Sequence, residues 1–174
     1  MKRYLKNARY SSHIPVLEFL FKKFSIKKIL EFGVGNYSTI FFREKGFGLL
    51  ISIDNDKKWA EKFINNKPDN HFIISHEDDK SYMVDILENF DLIFVDGHPA
   101  ESRIDFINKN IYKTDILVFH DSQHRKLKVK DIIIPSGYSR FDYDKVKHKE
   151  VEIPETSLII KNDLIDNEID VFFK

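Results

Sequence analysis

The order of apolar and polar positions divides the 174-residue chain into alternating strand-like and helix-like segments. Residues 11–24 place Val16, Leu17, Leu20, Phe21 and Phe24 at helical spacing behind Ser11 and Ser12 as N-caps, which predicts an amphipathic helix with one face to bury. Residues 27–32 form a short apolar run ending at Gly33-Val34-Gly35, and the apolar residues of 37–45 recur helically. Strand, glycine turn and helix therefore follow in order. The alternation continues with a strand at 49–53, a helix at 57–65, a strand at 72–75 and a short helix at 82–88. Residues 91–95 and 115–119 flank a helix over 100–110; both are continuous apolar runs, as expected where helices cover both faces of a sheet. Residues 138–147 and 156–161 predict a terminal pair of strands, and 168–174 an edge strand or a disordered tail. The expected fold class is α/β, a three-layer sandwich around a mostly parallel central sheet.

Composition narrows the function classes. With 28 basic and 28 acidic side chains the chain has no global positive field to drive binding to nucleic acid or membranes. The absence of cysteine removes disulfide frameworks, zinc knuckles and thiol nucleophiles. Apolar stretches such as 49–53 fall far short of the ~18 to 20 residues of a membrane span. The stretch 14–21 is interrupted by Glu18 and runs into Lys22 and Lys23 without a small-residue cleavage site. The expectation is one cytoplasmic domain over residues 1–174, without repeats, linkers or a membrane partner.

In an open α/β sheet, ligands bind outside the carboxyl ends of the strands, and the first strand-to-helix turn approaches them most closely. Gly33 and Gly35 lie in that turn, where missing Cβ atoms let the backbone approach an anionic group at a helix N-terminus. A tight turn alone would ask for the same glycines. The next strand ends in Asp54, 21 residues after Gly33, the distance at which an acid reaches a ribose diol, although a strand-end acid also caps a following helix. A dinucleotide fingerprint wants a third glycine where Ser38 stands, which sets an NAD-dependent oxidoreductase behind other adenosine cofactors.

The string Glu31-Phe32-Gly33-Val34-Gly35-Asn36-Tyr37-Ser38-Thr39 resembles motif I of class I S-adenosylmethionine (SAM) dependent methyltransferases. Ile53-Asp54-Asn55-Asp56 with Trp59 is similar to that family's second acidic loop, residues 90–98 to its fourth strand and active-site loop, and residues 116–122 to its fifth strand. The resemblance covers residues 27–122 in order. It implies a Rossmann-like fold with SAM as cofactor. By that resemblance Glu31, Gly33, Gly35, Asn36 and Ser38 hold the methionine part, Asp54 with Asn55 beside it the ribose, and Glu77 and Asp78 the adenine edge. The chain departs from the family where Tyr112-Lys113-Thr114 replaces a Gly-Gly before the fifth strand, and it has no room for inserted lid helices.

Asp96 and Asp121 end two apolar runs that would be neighbouring strands, about 4.8 Å apart. Two convergent acids need a cation or a shared proton, and Mg²⁺ or another divalent cation suits such oxygens. Small metal-dependent O-methyltransferases of the catechol type, which the chain resembles here, carry an Asp and an Asp-Asn pair at these places. This chain has Asp121-Ser122, leaving His98 or His120 to complete the set. Asp96 and His98 are the expected catalytic residues, with His98 as base and His120 pointing away. Asp96-Gly97-His98-Pro99 stands where enzymes that methylate exocyclic base amines carry Asn/Asp-Pro-Pro-aromatic, which argues against a nucleic-acid base as acceptor. The basic run over 124–130 reads as a solvated face. The expected function is O-methylation of a small-molecule or sugar hydroxyl. The alternative is a methyltransferase-fold module that binds or assembles without catalysis, and the terminal strands leave room for a homodimer.

Overall fold

In a computed structural model, residues 8–75, 86–123, 127–146 and 155–174 are described. The strands are β1 (Lys28–Phe32), β2 (Leu49–Asp54), β3 (His71–Ser75), β4 (Leu92–Val95), β5 (Ile116–His120), β6 (Tyr138–Tyr143) and β7 (Thr156–Lys161). They form one sheet in the order β3-β2-β1-β4-β5-β7-β6. β1 to β5 run parallel, while β7 pairs antiparallel with both β5 and β6. The helices are α1 (Ala8–Ser11), α2 (Ile14–Lys23), α3 (Ser38–Lys45), α4 (Lys57–Ile64), α5 (Ser102–Asn110) and α6 (Asn167–Phe173).

Strand side chains alternate between faces, so each central strand feeds two cores. Ile29, Leu92, Phe94, Ile116 and Val118 pack with Leu17 and Leu20 of α2, Phe41 and Phe42 of α3 and Ile169 of α6. Leu30, Phe32, Ile93, Val95, Leu117 and Phe119 pack on the other face with Phe106 and Ile107 of α5. β4 and β5 are buried along their whole length, as their continuous apolar runs require.

Three local expectations differ from the structure. The helix predicted over 11–24 is α2, but it starts at Ile14 behind His13 rather than at a Ser11 or Ser12 cap, because a separate short helix ends at Ser11 and the chain restarts with Pro15 in the first turn of α2, where its fixed φ and missing N–H are tolerated. The tail is helix α6 rather than a strand. Asp166 caps it by accepting from the N–H groups of Glu168 and Ile169, and Ile169, Phe172 and Phe173 pack on the first core. The strand predicted over 138–147 ends at Tyr143. The helix predicted over 82–88 falls largely outside the described residues. Among the described residues no helix is long and apolar enough to cross a membrane.

Candidate active site

β1 is flanked by β2 on one side and β4 on the other, which makes the gap between β1 and β4 the topological switch point of the sheet. Two glycines meet there. Gly33 has φ +96°, and a Cβ on it would lie 2.5 Å from the Gly97 nitrogen and 2.6 Å from the Asp96 carbonyl carbon. A Cβ on Gly97 would lie 2.6 Å from the Phe32 ring. The turns after β1 and β4 are thus in backbone contact, pinned by Asp96 N–H donating to Phe32 O at 2.7 Å, while Gly33 N–H donates to Ile53 O of β2 at 2.8 Å.

Asp54, at the tip of β2, ties the next loop to the glycine turn. Its carboxylate accepts from Val34 N–H and from Asp56 N–H, each at 2.8 Å, and the Trp59 indole N–H donates to Val34 O at 2.7 Å. Burial raises the Asp54 pKa, against the pull of those backbone donors. Helix-capping at this corner falls to Asp56, whose side chain accepts from Trp59 N–H. Of the other expected cofactor contacts, Gly35 and Asn55 are half-buried and Asn36 is exposed. Glu77 and Asp78 lie outside the described residues.

Glu31 is fully buried, and its carboxylate is engaged within the chain. It accepts from the hydroxyls of Ser38 at 2.6 Å and Ser52 at 2.6 Å, with the Thr39 hydroxyl 2.8 and 2.9 Å from its two oxygens. Glu31 and Ser38 therefore fix how α3 leaves the glycine turn. The network extends outward. Arg43 Nε–H donates to His71 Nδ1 at 3.1 Å, which leaves the proton on Nε2, 2.9 Å from Ser52 Oγ. Burial pushes Glu31 up to about 7, with the hydroxyl bonds pulling the other way, and lowers His71 to about 3, helped by Arg43.

His71 yields a pH prediction. The folded protein keeps this imidazole neutral to about pH 3, whereas the unfolded chain takes up a proton below its ordinary value of 6.5, so stability is lost on acidification. His71→Gln, which keeps one donor and one acceptor, should flatten the fall in unfolding free energy between roughly pH 6 and 4 by about 1.4 kcal/mol per pH unit. Urea titrations across that range measure it; parallel slopes for the two proteins would refute it.

The second cluster lies at the ends of β4 and β5. Val95 pairs with Phe119, so the residue level with Asp96 is His120, and Asp121 is one step further on. Alternation then separates the two. Asp96 and His120 share the parity of Phe94 and Val118, toward α2, and His120 Nδ1 lies 3.3 Å from Asp96 Oδ1. The expectation that His120 points away is therefore corrected. Asp121, in the left-handed region at φ +58°, faces Arg103 of α5.

Arg103 is the residue that sequence reasoning missed. Its side chain is 7% exposed, with Nη2 3.0 Å from Asp96 Oδ1 and Nη1 3.4 Å from Asp121 Oδ2. It also donates to the carbonyls of Gly97 at 2.6 Å and His120 at 3.0 Å. Both acids share this guanidinium, whose planar fork can serve several acceptors at once, and both also lie beside His120 Nδ1, at 3.3 Å for Asp96 and 3.6 Å for Asp121. Burial opposes the Asp96 charge, but His120, through charge and hydrogen bond, and then Arg103 outweigh it and hold Asp96 at about 2. Burial likewise opposes the His120 imidazolium, and Asp96 and Asp121 outweigh it, so the His120 pKa is raised. His98 is exposed on the loop after β4 and, among the described residues, makes no hydrogen bond to this cluster.

No protein-family model and no curated protein sequence matches the chain. Solved structures do. An O-methyltransferase from Bacillus cereus in complex with S-adenosylhomocysteine (SAH) is 16% identical with a TM-score of 0.64, over 86% of this chain and 81% of that one. The O-methyltransferase TomG from Streptomyces achromogenes, involved in tomaymycin synthesis and solved with SAM, is 15% identical with a TM-score of 0.63, over 91% and 90%. An rRNA methylase from Streptococcus thermophilus is 14% identical with a TM-score of 0.61, over 84% and 94%. At these identities the likeness concerns architecture: the chain has the α/β, Rossmann-like fold of these methyltransferases.

Proposed function

We propose that the chain is a SAM-dependent methyltransferase acting on a hydroxyl of a small molecule or sugar, with its cofactor at the carboxyl ends of β1, β2 and β4. The observation that carries this reading is Asp54, a buried carboxylate at the tip of β2 that holds the glycine turn through Val34 N–H. Three backbone N–H groups, those of Val34, Asp56 and Asn55, donate to the two Asp54 oxygens, and of their four lone pairs one is left for a ribose hydroxyl. The close approach of Gly33 to Gly97 leaves no Cβ on either turn where they meet, as a backbone-lined cradle requires. SAM, when bound, supplies a methyl group on a positively charged sulfur that departs as a thioether.

The chain's own groups then have two tasks, to orient the acceptor and to take its proton. Asp96, its side chain 27% exposed and ionised throughout the neutral range, accepts a hydrogen bond from the acceptor hydroxyl. His98 has the solvent access that buried His13 and His120 lack, and it takes the hydroxyl proton as the oxygen–carbon bond forms. Mg²⁺ held by Asp96 and Asp121 does not suit this arrangement, because Arg103 pairs with both carboxylates, and no step is routed through it.

The same Arg103 pairing favours a second reading, a module of this fold that binds SAM without transferring its methyl group. Incubation with isotope-labelled SAM and a panel of phenols, sugars and, as a control, rRNA separates the two. Labelled methyl ethers that disappear with both Asp96→Asn and His98→Ala are the expected result. SAM binding with no labelled product from any acceptor would favour the module.

A further inference from the structure

Among the described residues, four buried side-chain polar atoms have no hydrogen-bond partner: both ring nitrogens of His13, Ser122 Oγ and Thr156 Oγ1. They belong to one neighbourhood. Thr156 pairs with His120 across β5 and β7, Ser122 lies two residues beyond His120, and the His13 ring stands edge-on to the His120 ring at 4.7 Å between centroids. Buried polar atoms in native proteins are almost always paired, so orphans gathered at one strand end point to a ligand. His13 carries most weight, being 1% exposed, packed between Phe94 and His120, with two nitrogens and no partner for either.

We propose that His13, Asp96 and His120 bind a divalent transition-metal ion of the zinc class. One donor atom from each lies within 4.8 Å of the other two, a spread that a small inward shift closes onto one ion. Two imidazoles and one carboxylate suit zinc, cobalt or manganese, whereas Mg²⁺ prefers oxygen donors. Three protein ligands also leave a coordination position open.

The surroundings fit in two respects. Ser12 Oγ is 2.8 Å from His120 Nε2, so with Nε2–H donating to Ser12 the Nδ1 lone pair faces Asp96. A hydrogen bond of that kind on the outer nitrogen is how ligating histidines are usually oriented. The ion would replace the proton that His120 Nδ1 otherwise shares with Asp96, so binding releases a proton. Charge is also in order, since Asp96 and Asp121 outnumber the one guanidinium of Arg103, which approaches from the α5 side while His13 approaches from the α2 side. The proposal does not rest on the methyltransferase reading, because the site is defined by metal affinity alone.

The test is titration of Zn²⁺ and Co²⁺ into chelator-treated full-length protein, by calorimetry and by the visible absorption of bound Co²⁺. One equivalent should bind. Affinity should fall at least about 100-fold in His13→Phe, which fills the space beside Phe94 without a donor, and in His120→Asn, and about 10- to 100-fold in Ser12→Ala. Circular dichroism confirms that each variant folds, and His98→Ala serves as the surface control, expected to bind like wild type. No binding by the wild-type protein, or binding unchanged in both His13→Phe and His120→Asn, would overturn the proposal.

Discussion

Arg103→Met should lower the unfolding free energy by about 3 to 5 kcal/mol, the usual cost of removing one partner from a buried ion pair. The loss is large because several groups depend on one side chain. Without the guanidinium, Asp96 and Asp121 are left to share the His120 imidazole, 3.3 and 3.6 Å away, and the carbonyls of Gly97 and His120 lose their donor. For a chain of this size the change corresponds to a midpoint roughly 6 to 20 °C lower. Arg103→Lys keeps the charge but offers a point donor where a fork is needed, and should recover only part of the loss. Thermal unfolding followed by circular dichroism measures both. A Met variant within about 1 kcal/mol of wild type would mean that the acids are relieved in some other way.

The second large effect is expected at Gly33. An alanine there must adopt φ +96°, disfavoured by about 1 to 2 kcal/mol for a residue with a Cβ, and must also push the Asp96-Gly97 backbone away from 2.5 Å. Overpacking of this sort adds about 1 to 3 kcal/mol. Gly46 and Gly137 separate the two contributions, since both have positive φ, of +77° and +88°, and a Cβ on either would meet no atom within 4 Å. Alanine at either should therefore cost only the backbone part. Urea unfolding of the three variants is the measurement, and equal losses at all three would show that the contact between the two turns is unimportant. The same substitution at Gly33 should weaken SAH binding, because the displaced turn is the proposed cradle.

How much of this was legible in the sequence depends on the range of the interaction that decides each feature. The central strands were, because β4 and β5 are buried on both faces and their apolar runs are unbroken. The Gly33 turn and Asp54 were too, since their spacing along the chain already matches a strand-turn-helix unit with an acid at the next strand tip. The partners of Glu31 were not, because they depend on the register that sets Glu31 beside Ser52. The direction of His120 was hidden for the same reason, as it follows from Val95 pairing with Phe119. Nothing local marks Arg103, one cation among 28 basic residues, as the partner of both strand-end acids. Two signals were present and outweighed. Pro15 marks the start of α2 and hence the break that exposes His13 to the site, and Asp166 followed by Ile169, Phe172 and Phe173 is a capped helix pattern.

Calorimetric titration of SAH into the wild-type protein and into Asp54→Ala tests the central claim most directly. One equivalent should bind the wild type, and loss of charge-assisted hydrogen bonds to the ribose should weaken binding about 10- to 100-fold in the folded variant. A folded wild-type protein that takes up no SAH, or a variant that binds it equally well, would contradict the account.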